Sequence, residues 1–395
     1  MTKNIVLLAW DCARRDHCSL YGYDRETTPF LDSIEPKLVY DQAISQSFWS
    51  LPVAYTVFTG KYPWQHGATM RTAGGPHRAQ TFTDWRRNKL LPQMLQEVGY
   101  STWCYSDNSW IDPATDIRGF DHFYDYRLFQ QSPEGRGGRV VDKVIDTFRP
   151  EKPFFFFSHW LDAHDPYHVP EQFFQWASDR SLHTNVNLYF TERLPWGEKE
   201  FGQLRDRYDE AMVYMDYQLK RLVEWLSAED YAEDTIFILY GDHGEYFGEH
   251  GLYHHTCMLY DEVLRVPLVV WGEGIKSKVN YDQIELRYVF NMVAHETGLS
   301  ERSVGLDPYA VSSVDFPNLI MQDYWMVDAL YDNPKLFSPK VSVRTPEWKY
   351  IRSLRGDEFY DLTQDPREQN NIYHPDHRAN GPVWDSLHLL DGLGI

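Results

Sequence analysis

Ile5-Val6-Leu7-Leu8-Ala9-Trp10-Asp11 is an unbroken apolar run of strand length that stops on a carboxylate. Its residues do not alternate with polar ones, so both faces of the strand must be covered. That is the pattern of a strand inside a mostly parallel sheet packed by helices on both sides. Similar runs, rich in β-branched or aromatic side chains, recur at 102–106, 153–159, 235–241 and 267–271. Between them lie apolar stripes at helical spacing: Leu91, Met94, Leu95 and Val98; Val140, Val141, Val144, Ile145 and Phe148; Met212, Met215, Leu219, Leu222 and Leu226. All three stripes read as ordinary core packing. The alternation predicts a doubly wound, mostly parallel α/β sheet flanked by helices, with ligands at the carboxyl ends of its strands. The stretch 181–205 has weak periodicity and reads as an excursion from the sheet. Beyond about 280 the rhythm fades, and 341–344, 349–351 and 358–360 read as short antiparallel strands. The expected division is an α/β domain over 1–280 and a C-terminal part, 281–395, with a small α+β subdomain.

Composition narrows the function classes. Of 395 residues 43% are hydrophobic and 16% aromatic, enough for a large core and contrary to disorder. A formal charge of −20 disfavours a nucleic-acid binder, which needs Lys and Arg against phosphates. It leaves room for a small anionic substrate, because a bound divalent cation reverses the field inside one pocket. Cys12, Cys18, Cys104 and Cys257 show no C-x-x-C spacing and suggest neither a zinc knuckle nor a disulfide framework. The first apolar run ends at Asp11, with Arg14 and Arg15 following and no small-residue cleavage site, so it reads as a buried strand rather than a secretion signal. No stretch approaches the ~20 apolar residues of a membrane span. The expectation is a cytoplasmic protein without a membrane span; a homo-oligomer stays open.

The chemistry gathers where apolar runs end. Asp11 follows the first, and Asp242 with His243 follows the run at 235–241. Two carboxylates and an imidazole at one sheet edge suit Mg²⁺, Mn²⁺, Ca²⁺ or Zn²⁺. A lone Asp in such a place is more often a helix cap, so the set must be judged together. In Ser50-Leu51-Pro52-Val53-Ala54, a hydroxyl precedes a proline fit for the first turn of a helix. There, free N–H groups favour an anion, and a serine beside a metal can act as a nucleophile.

These pieces stand in an order that resembles the sulfatase family of the alkaline phosphatase superfamily. Asn4 to Asp11, Tyr21-Gly22-Tyr23, Thr28-Pro29 and Leu31-Asp32 are similar to its opening. Ser50 and Pro52, with Thr59-Gly60-Lys61 and His66-Gly67, resemble its nucleophile segment. Gly241-Asp242-His243-Gly244-Glu245, Gly248-Glu249-His250-Gly251, Tyr260-Asp261-Glu262 and Arg265 through Leu268 resemble its second metal segment. Arg344-Thr345, Trp348-Lys349-Tyr350, Tyr360-Asp361-Leu362, Asp365-Pro366 and Asn370-Asn371 resemble its closing subdomain. The resemblance implies one divalent metal ion on Asp11, Asp242, His243 and Ser50, with Ser50 as nucleophile. It implies His164 and His255 at the ester oxygens or leaving group, and His254 and Lys61 as substrate contacts. An imidazole suits proton donation to an alkoxide.

The departures bear on the substrate. Ala54 stands where sulfatases have the Arg of their formylglycine-forming signal, and Cys12 replaces the second Asp of the opening pair. Tyr105-Ser106-Asp107-Asn108 replaces an expected Gly-Lys-x-His segment, with Asn108 as a candidate substrate contact. One Asp at the opening and Asp-His at the second segment resemble the phosphonate monoester hydrolase and phosphodiesterase branch. The expected activity is hydrolysis of phosphate, phosphonate or sulfate esters, with a slight lean to phosphorus. Two alternatives stay open: a degenerate anion- or partner-binding protein, and a phosphotransferase. A Ser-His-Asp acyl hydrolase is disfavoured because no G-x-S-x-G surrounds Ser50.

Overall fold

A computed structural model of the chain describes residues 2–68, 87–125, 127, 135–151, 153–182, 196–299, 307–314, 338–379 and 381–395. Most of the excursion expected over 181–205 lies outside the described residues. The strands in chain order are β1 (Asn4–Trp10), β2 (Lys37–Ile44), β3 (Ser101–Ser106), β4 (His122–Tyr124), β5 (Phe154–Trp160), β6 (Thr235–Gly241), β7 (Tyr246–Phe247), β8 (Tyr253–His254), β9 (Arg265–Val266), β10 (Leu268–Gly272) and β11 (Lys278–Glu285). The main sheet has the order β11-β2-β10-β6-β1-β5-β3-β4, with β9 paired to β2, while β7 and β8 form a separate ribbon. Pairing is parallel from β6 through β1, β5 and β3 to β4. The run at 267–271 departs from the parallel expectation: β10 is antiparallel to both β6 and β2.

β1 lies at the centre, and its side chains feed two cores in alternation. Ile5, Leu7 and Ala9 enter one cluster and Val6, Leu8 and Trp10 the other, all at most 1% exposed. This is why the run could not alternate apolar with polar. Helices α1 (Pro29–Ser33), α2 (Ser50–Thr59), α3 (Pro63–His66), α4 (Leu91–Glu97), α5 (Arg136–Thr147), α6 (Glu198–Ala228), α7 (Asp261–Leu264), α8 (Tyr288–Thr297) and α9 (Gly381–Leu393) complete the described elements named here. Buried residues of α2, α4 and α8 join the Ile5 cluster, and those of α5 and α6 join the Val6 cluster. Met212, Met215, Leu219, Leu222 and Leu226 are buried along α6 as the stripe predicted. Val98 is not part of the core: α4 ends at Glu97, and Val98 caps it at 51% exposure.

A second, antiparallel sheet contains β12 (Ala310–Val314), β13 (Lys340–Arg344), β14 (Trp348–Ser353) and β15 (Glu358–Asp361) in sequential order. The strands expected at 341–344, 349–351 and 358–360 are its last three. The division expected at 280 falls inside β11, which pairs with β2 over Lys278 to Glu285, and α8 then packs on the main core. Main-sheet residues therefore reach Glu285. No helix among the described residues is long and apolar enough to cross a membrane.

Candidate metal and nucleophile centre

Strand register gathers the site. Trp10 stands opposite Gly241 on one side and Trp160 on the other, so the next residues, Asp11 and Asp242, leave the sheet level with each other and beside His159. The backbone continues the ladder briefly: Asp11 N donates to Trp160 O at 2.9 Å and Asp242 N to Trp10 O at 3.2 Å. β3 ends opposite His159, which delivers Asn108 to the same edge. α2 brings in Ser50 as its first residue after an extended Trp49, and it ends at left-handed Gly60, whose N–H returns to Thr56 O. All ten residues of α2 are buried, so Ser50 is held by the packing of a whole helix.

Ser50 Oγ donates to Asp11 Oδ2 at 3.0 Å, and Asn108 Nδ2 donates to both Ser50 Oγ (2.9 Å) and Asp11 Oδ2 (2.7 Å). Asp242 Oδ1 accepts from the backbone N–H groups of Cys12 (3.2 Å) and His243 (2.8 Å). His243 Nε2 lies 3.6 Å from Asp11 Oδ1 and 3.7 Å from Asp242 Oδ2. Burial would raise the Asp242 carboxyl, but His243 and His159 outweigh it and bring it down to about 2.

The residues fit a cation. Asp242 Oδ2 and His243 Nε2 are buried with no hydrogen-bond partner among the described residues, although buried polar atoms are normally paired. A divalent ion on Asp11, Asp242, His243 and Ser50 satisfies them with the oxygen and nitrogen donors that Mg²⁺, Mn²⁺, Ca²⁺ and Zn²⁺ accept.

His159, taken at first as the tail of a core strand, belongs to this group. Its Nε2 is 3.2 Å from Asp242 Oδ2 and 3.5 Å from Asp11 Oδ2, and the three side chains form a candidate ligand set. The sequence carried a signal for it: on a strand His159 shares a face with Phe155 and Phe157, the face that α2 covers. Glu245 was also missed. It is fully buried and accepts from Cys12 Sγ (3.2 Å) and Tyr167 OH, with His254 Nε2 at 3.4 Å and His255 Nδ1 at 3.3 Å. Burial pushes its carboxyl up to about 8.

His164, His254 and His255 meet beside the carboxylates, with ring centroids 3.8–5.2 Å apart, and His255 lies 4.6 Å from His243. Burial lowers His254 and His255 well below the usual imidazole range; it pulls His164 the same way, but Asp11 and Glu245 outweigh it and raise that ring. Lys61 does not join them. It follows the far end of α2, roughly 15 Å along the axis from Ser50, and its ammonium donates to Asn88 Oδ1 at 2.7 Å. The assignment of Lys61 to substrate is corrected by helix geometry.

Two close approaches hold the loops. Tyr208 OH donates to Cys12 O at 2.7 Å and accepts from Arg14 N at 2.8 Å, fixing Cys12 in a left-handed conformation with φ 59°. Gly244 lies so near α7 that a Cβ there would sit 2.1 Å from Glu262 O. Gly244→Ala is therefore expected to cost about 1–3 kcal/mol and to loosen His243, read as a lower melting temperature and weaker ion retention.

The sheet edge thus carries two aspartates, a helix-start serine and several imidazoles, a candidate donor set for a cation. The profile of the family described as Sulfatase matches residues 3–299, and that described as N-sulphoglucosamine sulphohydrolase, C-terminal, matches residues 248–388. The chain belongs to the sulfatase family. It is 24% identical to an arylsulfatase of Clostridium perfringens over 94% of this chain and 90% of that protein. It is 26% identical to a choline-sulfatase of Rhizobium meliloti over 47% of this chain and 36% of that one. It spans only about a third to a half of the length of several curated relatives that it matches. Among solved structures, the phosphonate monoester hydrolase of Agrobacterium radiobacter superposes with a TM-score of 0.77 at 16% identity, covering 98% of this chain and 95% of that one, a likeness of fold.

Proposed function

We propose that the chain is a metal-dependent hydrolase of small anionic esters in which Ser50 attacks the central phosphorus or sulfur. The observation that carries this reading is Ser50 Oγ at the start of α2, hydrogen-bonded to Asp11 and Asn108 beside Asp242 Oδ2, which His159 Nε2 approaches at 3.2 Å, and His243 Nε2. One divalent ion on Asp11, Asp242, His243 and Ser50 supplies positive charge to the nucleophile and the ester oxygens. Asp11 Oδ2 receives the hydrogen bond of the Ser50 hydroxyl and aligns it, while Asn108 fixes the lone pair that does not attack. The open N–H groups of α2 face the anionic group. His164 Nδ1 lies 2.8 Å from Asp165 O, which leaves Nε2 for the departing oxygen. His254 and His255 flank that side.

Within this class phosphorus esters come first. Ala54, one helical turn from Ser50, is buried in the core cluster and provides no charge to the nucleophile. A plain serine sulfate cannot collapse to an aldehyde and expel sulfate, whereas a phosphoserine yields to hydroxide at phosphorus. Sulfate esters are the second reading, favoured by family membership and by the names of the relatives. All four cysteines are free and buried, as suits a reducing cytoplasm. The test is turnover of p-nitrophenyl phosphate, bis-p-nitrophenyl phosphate, p-nitrophenyl phenylphosphonate and p-nitrophenyl sulfate, each with and without EDTA. Phosphorus-ester turnover that EDTA abolishes is expected. Sulfate turnover alone, with the intact mass showing an altered Ser50, would overturn the choice of phosphorus. Transfer to an added alcohol in place of water would indicate a phosphotransferase. No turnover with ion bound would favour a binding protein.

A further inference from the structure

Next to the Asp11 and Asp242 carboxylates stands a second set of donors that the single-ion reading leaves without a metal. Cys12 Sγ, Glu245 Oε1 and His255 Nδ1 are separated pairwise by 3.2, 3.7 and 3.3 Å, and a ligand atom of His164 completes a group whose members all lie within 4.8 Å of one another. Bonds of about 2.0–2.3 Å to a tetrahedral ion place neighbouring ligand atoms about 3.3–3.8 Å apart, close to the three Cys12–Glu245–His255 separations.

The Cys12 sulfur sits among several other donor atoms. It stands 3.0 Å from Asp11 Oδ1 and 3.2 Å from Glu245 Oε1, with His243 Nδ1 at 3.8 Å and His255 Nδ1 at 3.7 Å. Glu245 is fully buried, with His254 and His255 near its Oε1 and the Tyr167 hydroxyl donating to its Oε2.

We infer that Cys12, Glu245, His255 and His164 form a second cation site for a thiolate- and imidazole-binding ion such as Zn²⁺. The inference rests on the reading of Asp11, Asp242 and His243 as the first site and deepens it. Binding releases the thiol proton, and His164 turns from proton donor to ligand. An ion held there would supply a second positive charge beside the first site, the chemistry by which paired metals stabilise both the attacking and the departing oxygen. A sulfur donor also selects against Mg²⁺ and Ca²⁺ at this position.

The full chain, stripped with chelator and reloaded with Zn²⁺ or Co²⁺ alone, is desalted and its metal content measured by mass spectrometry. Two ions per chain are expected for the wild type, and one for Glu245→Gln, His255→Ala and Cys12→Ser. The Co²⁺ form should show a sulfur-to-cobalt charge-transfer band in the near ultraviolet that Cys12→Ser removes. Circular dichroism identifies any variant that fails to fold, and His255→Ala, at the partly exposed rim, guards against that loss. One ion in the wild type with no sulfur band overturns the second site while leaving the first intact. Loss of every ion in Asp242→Asn would instead show that the second position does not bind by itself. One ion kept by Asp242→Asn together with the sulfur band supports it directly.

Discussion

Ser50→Ala is expected to lower kcat on any ester the protein hydrolyses by about 10⁴-fold or more, with KM changed far less. The hydroxyl is the atom that Asp11 and Asn108 hold in place, and no other hydroxyl or thiol among the described residues occupies the start of α2. Removing Oγ takes away the nucleophile but leaves Asp11, Asp242 and His243 to hold an ion, so metal content should fall little. Steady-state kinetics with metal analysis on the same preparation check both halves. Activity surviving near the wild-type level would mean that water attacks directly and that Ser50 only fills space. Loss of both activity and ion would assign Ser50 a structural role as a ligand, not the nucleophilic role proposed above.

The centre was legible in the sequence wherever an apolar run broke on a charged side chain. Asp11, Asp242 and His243 follow apolar runs directly, and although a lone Asp there is more often a helix cap, the strand register brings the three together. Asn108 was read from a departure in a motif, and it proves to touch both Ser50 and Asp11. His159 stayed hidden because it stands inside such a run, where a single polar residue looks like tolerated core. Only pairing with β1 shows that it arrives beside Asp11. Lys61 erred in the opposite direction: eleven positions in sequence suggest nearness, but a helix converts them into distance.

Four strands of the main sheet also escaped detection, the short β4 and β9 and the eight-residue β2 and β11, and for the longer two the reason is physical. β2 and β11 carry Lys, Asp, Gln and Asn among their apolar residues, and β11 is largely exposed at the sheet edge. Their pairing is made by backbone hydrogen bonds that leave no apolar signature. The division at 280 followed from reading hydrophobicity alone, while the register of β11 on β2 runs through it to Glu285.

The four-stranded subdomain is pinned to the main body by charge, and Asp261→Ala is expected to show how strongly. Asp261, the first residue of α7, accepts from Arg344 Nη2 at 2.8 Å and from Lys349 Nζ at 2.8 Å, while Lys349 also reaches Glu368 at 2.9 Å. Lys349 and Glu368 side chains are fully buried. Truncating one partner of such a buried cluster leaves an uncompensated charge and costs about 3–5 kcal/mol, which should appear as a lower urea midpoint. The pH dependence has a definite sign. Burial alone would raise the Asp261 carboxyl, but Arg344 and Lys349 hold it far below its ordinary value of 3.8. A group with a depressed folded pKa contributes stability above its unfolded pKa and loses it as pH falls below that value. Wild-type stability should thus drop steeply with acid below about pH 4, and Asp261→Ala should flatten that slope. A variant with the wild-type urea midpoint and the wild-type acid slope would place the docking in the contacts of β12 with the Ser45–Gln46 backbone, where Ser312 Oγ and Ser313 N donate at 2.6 and 3.0 Å.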